Sequence, residues 1–238
     1  MHARRPLVRL LLTSTLIVAL AALWLTSAMA SPFSGASAAA AGETAPTNPP
    51  AVPEVGVVGD SVLDMAEHDF FGDGTRHHLT DAFDATGVTA EVSSHPGLPI
   101  RQLTPFALEL RDRGVGTIVV EGGHNDARLV AEVRDDGAML AQSKADFVRL
   151  IDALADVRCV VITTPRTNTS TWDLRSVGSE LVDFYRSEAA KHPNVHLADW
   201  TTRSNPHPEW FIEDGVHPND AGVSALRTFI VDAVAASC

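Results

Sequence analysis

The sequence predicts an α/β domain built on parallel strands, and three observations predict it. Short apolar runs recur five times along the chain; helical patterns separate them; and three polar, glycine-containing islands lie at the ends of the first, third and fifth runs or in the loop beyond. Strand patterns alternating with helix patterns imply parallel strands joined by right-handed crossovers. In open sheets of that kind ligands bind beyond the carboxyl ends of the strands, so islands far apart in sequence can converge.

The elements follow in order. Residues 55–58, Val-Gly-Val-Val, form a buried-strand pattern that feeds a turn at Gly59. Ser61 to Phe71 carries a loose helical rhythm that Gly72-Asp73-Gly74 interrupts, and Thr75 to Ala85 reads as a second helical piece. Val88 to Val92 alternates as a strand does, His95-Pro96-Gly97 is a turn, and Ile100 to Leu110 is a helix ending near Gly114. Gly116 to Val120 is the clearest central strand. Ser143 to Leu154 places Phe147, Leu150, Ile151 and Leu154 on one helical face. Cys159 to Thr163 is the fourth strand, followed by a polar loop from Pro165 to Thr171. Asp173 to Lys191 is helical and Val195 to Ala198 is the fifth strand. Asn219 or Asp220 can cap a last helix in which Val223, Leu226, Ile230 and Val234 fall at helical spacing.

Ahead of this domain the chain changes character. Arg4, Arg5 and Arg9 flank an almost wholly apolar stretch from Leu10 to Leu25, and Ala28-Met29-Ala30 offers a small-residue cleavage pattern. Residues 1–30 are expected to be a secretory signal peptide, the alternative being an uncleaved anchor. Either way the remainder lies outside the cytoplasm. Residues 31–53, rich in Ala, Ser, Thr and Pro, read as a disordered linker, and the folded domain as 54–238.

The formal charge of the whole chain is −12, and three of its arginines fall in the first 30 residues. That balance argues against nucleic acid or an anionic membrane surface as a main partner, leaving the membrane only through an N-terminal anchor; a monomer is expected. Cys159 and Cys238 are the two cysteines. Outside the cytoplasm such a pair can form a disulfide, here tying the last helix to the sheet; two unpaired thiols are the alternative.

The three islands are Gly59-Asp60-Ser61, Gly123-His124-Asn125-Asp126 and Asp214-Gly215-Val216-His217. Together they supply a serine, a histidine, a carboxylate and an asparagine amide, the components of nucleophilic acyl chemistry. Ser61, between a strand and a helix, can attack a carbonyl; alone, Gly-Asp-Ser more often caps a helix. His217 can take the serine proton and Asp214 can hold the imidazole in the right tautomer, although an Asp-x-x-His match also occurs by chance. Asn125, a Gly97 N–H and the Ser61 N–H can face an oxyanion; ordinary turn chemistry is the plainer account of Asn125 and Gly97. A rival metal set can be drawn from His124, Asp126, Asp214, His217 and Asp220. Within that set there is no His-x-x-x-His or paired-cysteine spacing, so no metal and no cofactor are expected. Trp172, Trp200 and Trp210 either wall an apolar pocket or seal the sheet edge.

These blocks, in this order, resemble the SGNH or GDSL-type hydrolases. Val57-Val58-Gly59-Asp60-Ser61 looks like the first block, Gly97 in Ser94-His95-Pro96-Gly97 like the second-block glycine, Gly123 to Asp126 like Gly-x-Asn-Asp, and Asp214 to His217 like Asp-x-x-His. The resemblance runs from about Glu54 to the C-terminus. It is closest in flavour to the extracytoplasmic SGNH domains attached to bacterial membrane acyltransferases, on Gly-Asp-Ser-Val, Ala198-Asp199-Trp200 and Asp-Gly-Val-His. The chain departs from these in having no multi-span membrane half, and in Glu121-Gly122, where an apolar residue commonly precedes the glycine block. The resemblance implies a three-layer α/β/α sandwich with a five-stranded parallel, flavodoxin-like sheet. It implies Ser61 as nucleophile, His217 as base, Asp214 as its partner, and Ser61, Gly97 and Asn125 as oxyanion hole. The expectation is a secreted or membrane-anchored serine esterase acting on a small-molecule or glycan O-acyl ester. An O-acyltransferase using the same residues and a non-catalytic glycan- or partner-binding module are the alternatives.

Overall fold

The computed structural model describes residues 51–68, 78–133, 137–169 and 175–238. The expected signal peptide, nearly all of the linker, the Gly72-Asp73-Gly74 interruption and Trp172 lie outside the described residues.

Five strands form one sheet: β1 (Val55–Gly59), β2 (Ala90–Ser94), β3 (Thr117–Glu121), β4 (Cys159–Thr163) and β5 (Val195–Ala198). Their order is β2-β1-β3-β4-β5, and every pairing is parallel. β1, β3 and β4 are buried throughout, as the strands of a parallel sheet covered on both faces must be. Side chains alternate between two cores. Val58, Ile118, Val120, Val160 and Ile162 face a layer of α3 (Ile100–Asp112), α5 (Ala138–Ala153) and α6 (Arg175–Ala189). Val55, Val57, Val119, Cys159 and Val161 face α1 (Ser61–Glu67), α2 (Leu79–Asp84) and α8 (Asp220–Ser237). The predicted three-layer α/β/α architecture is the one observed.

Several elements differ from the sequence reading in extent. β2 begins two residues later than the alternation indicated, and Thr89, just ahead of it, accepts the Glu54 and Val55 amides through its backbone carbonyl. Two short helices went unforeseen. α4 (His124–Glu132) starts at Gly123, whose φ of +102° turns the chain off β3, and α7 (Trp200–Ser204) is capped by the Asp199 side chain on the Thr202 amide. The last helix begins where capping residues predicted, with Asn219 accepting from the amides of Ala221 and Gly222.

Cys159 at the start of β4 and Cys238 after α8 are joined in a disulfide, their Cα atoms 5.8 Å apart. Of the tryptophans, Trp200 is buried in the core on the α8 side, with Phe229 and Trp210 beside it. It seals the sheet and does not wall a pocket. Among the described residues no helix is long and apolar enough to cross a membrane.

The chain crosses from β1 to β2 on one side, then returns past β1 to β3. The strand order therefore reverses between β1 and β3, the point beyond whose carboxyl ends open sheets of this kind bind their ligands. Gly59 and Glu121 are register partners at that point. The first two islands consequently sit side by side before any side-chain contact is considered.

Candidate active site

Gly59 lets the chain turn sharply off β1. A Cβ at that position would lie 2.7 Å from the Leu63 Cβ and 2.9 Å from the Glu121 Cβ, so only glycine fits between them. Asp60 then caps α1 by accepting the Val62 amide at 3.0 Å, which leaves Ser61 as the first residue of the helix. The capping role and the nucleophile-like placement thus belong to adjacent residues.

Ser61 Oγ lies 2.9 Å from His217 Nε2, and His217 Nδ1 lies 2.6 Å from Asp214 Oδ2. The other carboxylate oxygen of Asp214 accepts the amides of Val216 at 2.8 Å and His217 at 3.0 Å. Burial, the largest single influence on Asp214, pushes its carboxyl up. The bonds from the His217 ring and from these two amides outweigh it and hold the carboxyl below its ordinary value. An ionised Asp214 fixes the proton on Nδ1 and leaves Nε2 with a lone pair aimed at Ser61. The three groups can pass the serine proton to the imidazole while the carboxylate stabilises the resulting cation.

The loop around them is closed on itself. The Ile212 amide donates to His217 O and the Gly215 amide to Ile212 O, and Phe211 bridges Pro218. Arg166, which the sequence reading did not single out, reaches this loop from the end of β4. Its guanidinium donates to the carbonyls of Gly215 and Asn168 and lies 4.1 Å from the centre of the Phe211 ring. The Arg166 amide in turn donates to His124 Nε2 at 2.8 Å. Burial, then the nearby charges of His217 and Arg166, take the His124 imidazole down to a pKa of about 3, so it is neutral. With Nε2 accepting, its proton is on Nδ1. His124 is thereby a strut between the second and third islands.

Asn125 Nδ2 donates to Asp60 Oδ2 at 2.9 Å and, at a longer 3.4 Å, towards the Leu98 carbonyl. The sequence reading offered this amide as an oxyanion donor, with ordinary turn chemistry as the alternative. The structure gives one of its hydrogens to Asp60, which orients the group, and leaves the second weakly held. Gly97 has a φ of +82° and open space on the side where a Cβ would stand. Its loop is held at both ends: the His95 amide donates to Gly59 O at 2.8 Å, and the Ile100 amide to Asp126 Oδ2 at 2.9 Å.

Under the turn that carries Ser61 lies Glu121, 1% exposed at the end of β3. Its Oε2 accepts the amides of Asp60 at 3.3 Å and Leu63 at 3.2 Å. Burial and then the neighbouring Asp60 charge drive the Glu121 carboxyl well above its ordinary value. That favours the protonated carboxyl, which can share its proton with Asp60. The rival metal set is not gathered. Among the described residues the one group of three or more with facing atoms within 4.8 Å of one another is Asp60, Glu121 and His124. N–H donors already occupy Glu121 Oε2 and both Asp60 oxygens.

The sequence matches the GDSL-like Lipase/Acylhydrolase family over residues 57–225. It is 36% identical over 106 residues to the O-acetyltransferase OatA of Staphylococcus aureus, a match that takes in 44% of this chain and 16% of that protein's length. Among solved structures it resembles the C-terminal catalytic domain of peptidoglycan O-acetyltransferase A of Streptococcus pneumoniae, determined with a methylsulfonyl adduct. The TM-score is 0.56 and the identity 16%, with 78% of this chain and 92% of that one covered. An acetyl xylan esterase of Geobacillus stearothermophilus gives a TM-score of 0.62 at 16% identity, covering 78% and 96%. At such identities these two likenesses concern the fold.

Proposed function

The chain belongs to the GDSL-like lipase/acylhydrolase family, and from that premise we propose that it is an extracytoplasmic serine esterase that cleaves a short-chain O-acyl ester, acetyl foremost, from a glycan or small molecule. The observation that carries this reading is the unbroken chain from Ser61 Oγ through both His217 ring nitrogens to Asp214, with distances of 2.9 and 2.6 Å. Such contacts are within hydrogen-bond reach, the geometric condition for a nucleophile and its base.

Ser61 Oγ attacks the ester carbonyl carbon as its proton passes to His217 Nε2. The tetrahedral oxyanion is met by the N–H groups of Ser61 and Gly97 and by the second hydrogen of Asn125 Nδ2. The carbon–oxygen bond to the leaving alcohol then breaks, and that oxygen takes the proton from the His217 imidazolium. Water, deprotonated by the same imidazole, attacks the acyl-serine and releases the acid and a free Ser61. No step calls on a metal or an organic cofactor.

Passing the acyl group to a sugar hydroxyl in place of water is the second reading, favoured by the O-acetyltransferase among the relatives. The two differ only in what reaches the acyl-serine. Placement outside the cytoplasm is supported by the basic flank, apolar stretch and Ala28-Met29-Ala30 of the first 30 residues, and by the disulfide, a bond that persists in oxidising compartments.

The test is turnover of p-nitrophenyl acetate and longer acyl esters by the purified protein beside Ser61→Ala, with and without a chelator. Cleavage abolished by the substitution and indifferent to the chelator is expected. Equal rates in both proteins, or no cleavage at any acyl length, would leave a binding module. Adding glycan oligomers and finding acylated product by mass spectrometry would move the assignment to transferase.

A further inference from the structure

The reaction outlined above uses Ser61, His217, Asp214, Asn125 and Gly97. It leaves unexplained why a strand of Thr-Ile-Val-Val ends in a buried glutamate. Burying a carboxyl is unfavourable unless its hydrogen-bonding capacity is used. Here it is used on one structure, the turn that carries the serine. The first turn of a helix presents amides with no partner inside the helix. At α1 the Asp60 side chain takes the Val62 amide, and Glu121 Oε2 takes those of Asp60 and Leu63. Ser61 is the residue of that turn whose amide neither carboxyl takes.

We propose that Glu121 is a positioning residue for the nucleophile: by holding the amides on either side of Ser61 and hydrogen-bonding the Asp60 side chain, it sets the aim of Ser61 Oγ and, through Asp60, of the Asn125 amide. The proposal rests on the serine-esterase reading. Three further features fit it. Gly59 is the register partner of Glu121, and its missing Cβ is what lets the glutamate side chain pass under the turn. Asp60 is fully buried and connects the two functions, accepting the α1 amide on one oxygen and Asn125 Nδ2 on the other. His124 Nδ1, buried and without a hydrogen-bond partner, stands 3.9 Å from Glu121 Oε1, so the groups facing this carboxyl are Asp60 and the neutral His124.

The role asks for an acceptor of two amides and a donor to Asp60 within one planar group. A protonated glutamate supplies both, and so does glutamine, with its carbonyl oxygen on the amides and its NH2 on Asp60. Leucine fills the volume and supplies neither.

The experiment compares Glu121→Gln and Glu121→Leu with the unaltered protein and with Ser61→Ala. It follows the rate at which a sulfonyl fluoride labels Ser61, read by intact mass and peptide mapping, together with kcat and KM on p-nitrophenyl acetate and a melting curve. Glu121→Gln is expected to label within about threefold of the unaltered protein. Glu121→Leu is expected to label about 10²-fold more slowly, with the loss in kcat and not in KM, the size of effect that follows a misplaced reacting group. Should Glu121→Leu not fold, Glu121→Asp takes its place, since withdrawing the carboxyl by one methylene releases the same amides; slow labelling is again expected. Wild-type labelling in Glu121→Leu or Glu121→Asp, or Glu121→Gln as slow as Glu121→Leu, overturns the proposal. If the unaltered protein is not labelled at Ser61, the serine-esterase reading falls and this proposal falls with it.

Discussion

Replacing Asp214 with asparagine alters the charge and hydrogen count of one side chain while its shape stays the same. The surrounding bonds then dictate which way the amide must lie. In the native site one carboxylate oxygen accepts two backbone amides, from Val216 at 2.8 Å and His217 at 3.0 Å, and the other accepts His217 Nδ1. The carbonyl oxygen of the introduced amide has to stay on the two backbone donors. Turning it to His217 would set an NH2 group against both. Leaving a donor without its acceptor costs about 1–3 kcal/mol, so the turned arrangement is disfavoured by roughly 2–6 kcal/mol. Asp214 is about a quarter exposed, and water that screens the site favours the lower part of that range. With the amide unturned, NH2 faces Nδ1, the ring proton is forced onto Nε2, and Nε2 donates to Ser61 where it should accept. An equivalent substitution in serine proteases lowers kcat about 10⁴-fold, some 5–6 kcal/mol at about 1.4 kcal/mol per decade. A fall of about 10³–10⁴-fold in kcat on p-nitrophenyl acetate is therefore expected for Asp214→Asn, with KM and the melting temperature close to wild type. A folded Asp214→Asn protein retaining activity within tenfold of wild type would show that Asp214 does not set the tautomer of His217.

Three further outcomes are expected. His217→Ala should be more damaging to kcat than Asn125→Ala, because the first removes the proton acceptor at Ser61 and the second one oxyanion donor, worth about 10²–10³-fold; the reverse order in folded proteins would refute the role assignment. Asp126 is buried, which lifts its carboxyl to a pKa of about 6 against the ordinary 3.8, and its bond from the Ile100 amide only partly offsets this. A raised folded-state value means stability that is fully present below about pH 4 and lost as pH rises through 6, so Asp126→Asn should be more stable than wild type by up to about 3 kcal/mol at pH 8 and indistinguishable near pH 4, as read by urea unfolding. Replacing Cys159 and Cys238 together by alanine should lower stability by about 2–4 kcal/mol, the usual worth of a disulfide, with the kcat of the folded fraction unchanged; a melting temperature equal to wild type would contradict it.

The fold was largely legible because its strands are unusually plain. Val57-Val58, Ile118 to Val120 and Val160 to Ile162 are β-branched runs bounded by polar turns, and parallel strands buried on both faces read that way. The first two islands were legible because each joins a strand end to polar residues that a packing role does not require, and the third because its Asp-x-x-His falls in a polar Gly- and Pro-containing loop. What escaped was whatever depends on partners distant in sequence. α4 was hidden because its opening residues, His124-Asn125-Asp126, are poor helix formers recruited for their side chains. Arg166 looked like an ordinary residue of a polar loop, and only the fold brings its guanidinium to Gly215. His124 was weighed as a metal candidate when its ring serves to accept the Arg166 amide. Asn125 was read as an oxyanion donor or a turn residue, and neither reading named Asp60 as the acceptor of one of its hydrogens. Glu121 did leave a trace, since a carboxylate closing an otherwise apolar strand is improbable without a buried role, but nothing local names the amides it holds.

The 156 residues that separate Ser61 from His217 set the order in which the site is assembled. During synthesis or threading across a membrane, β1, the serine turn and the second island emerge while the base is still to come. The histidine reaches Ser61 only when the segment after β5 folds back and α8 seats against β4 and β5. Because such distant contacts form late, a partly emerged chain carries its serine as an ordinary alcohol. On the proposed mechanism, the completion of folding is what turns that alcohol into a nucleophile.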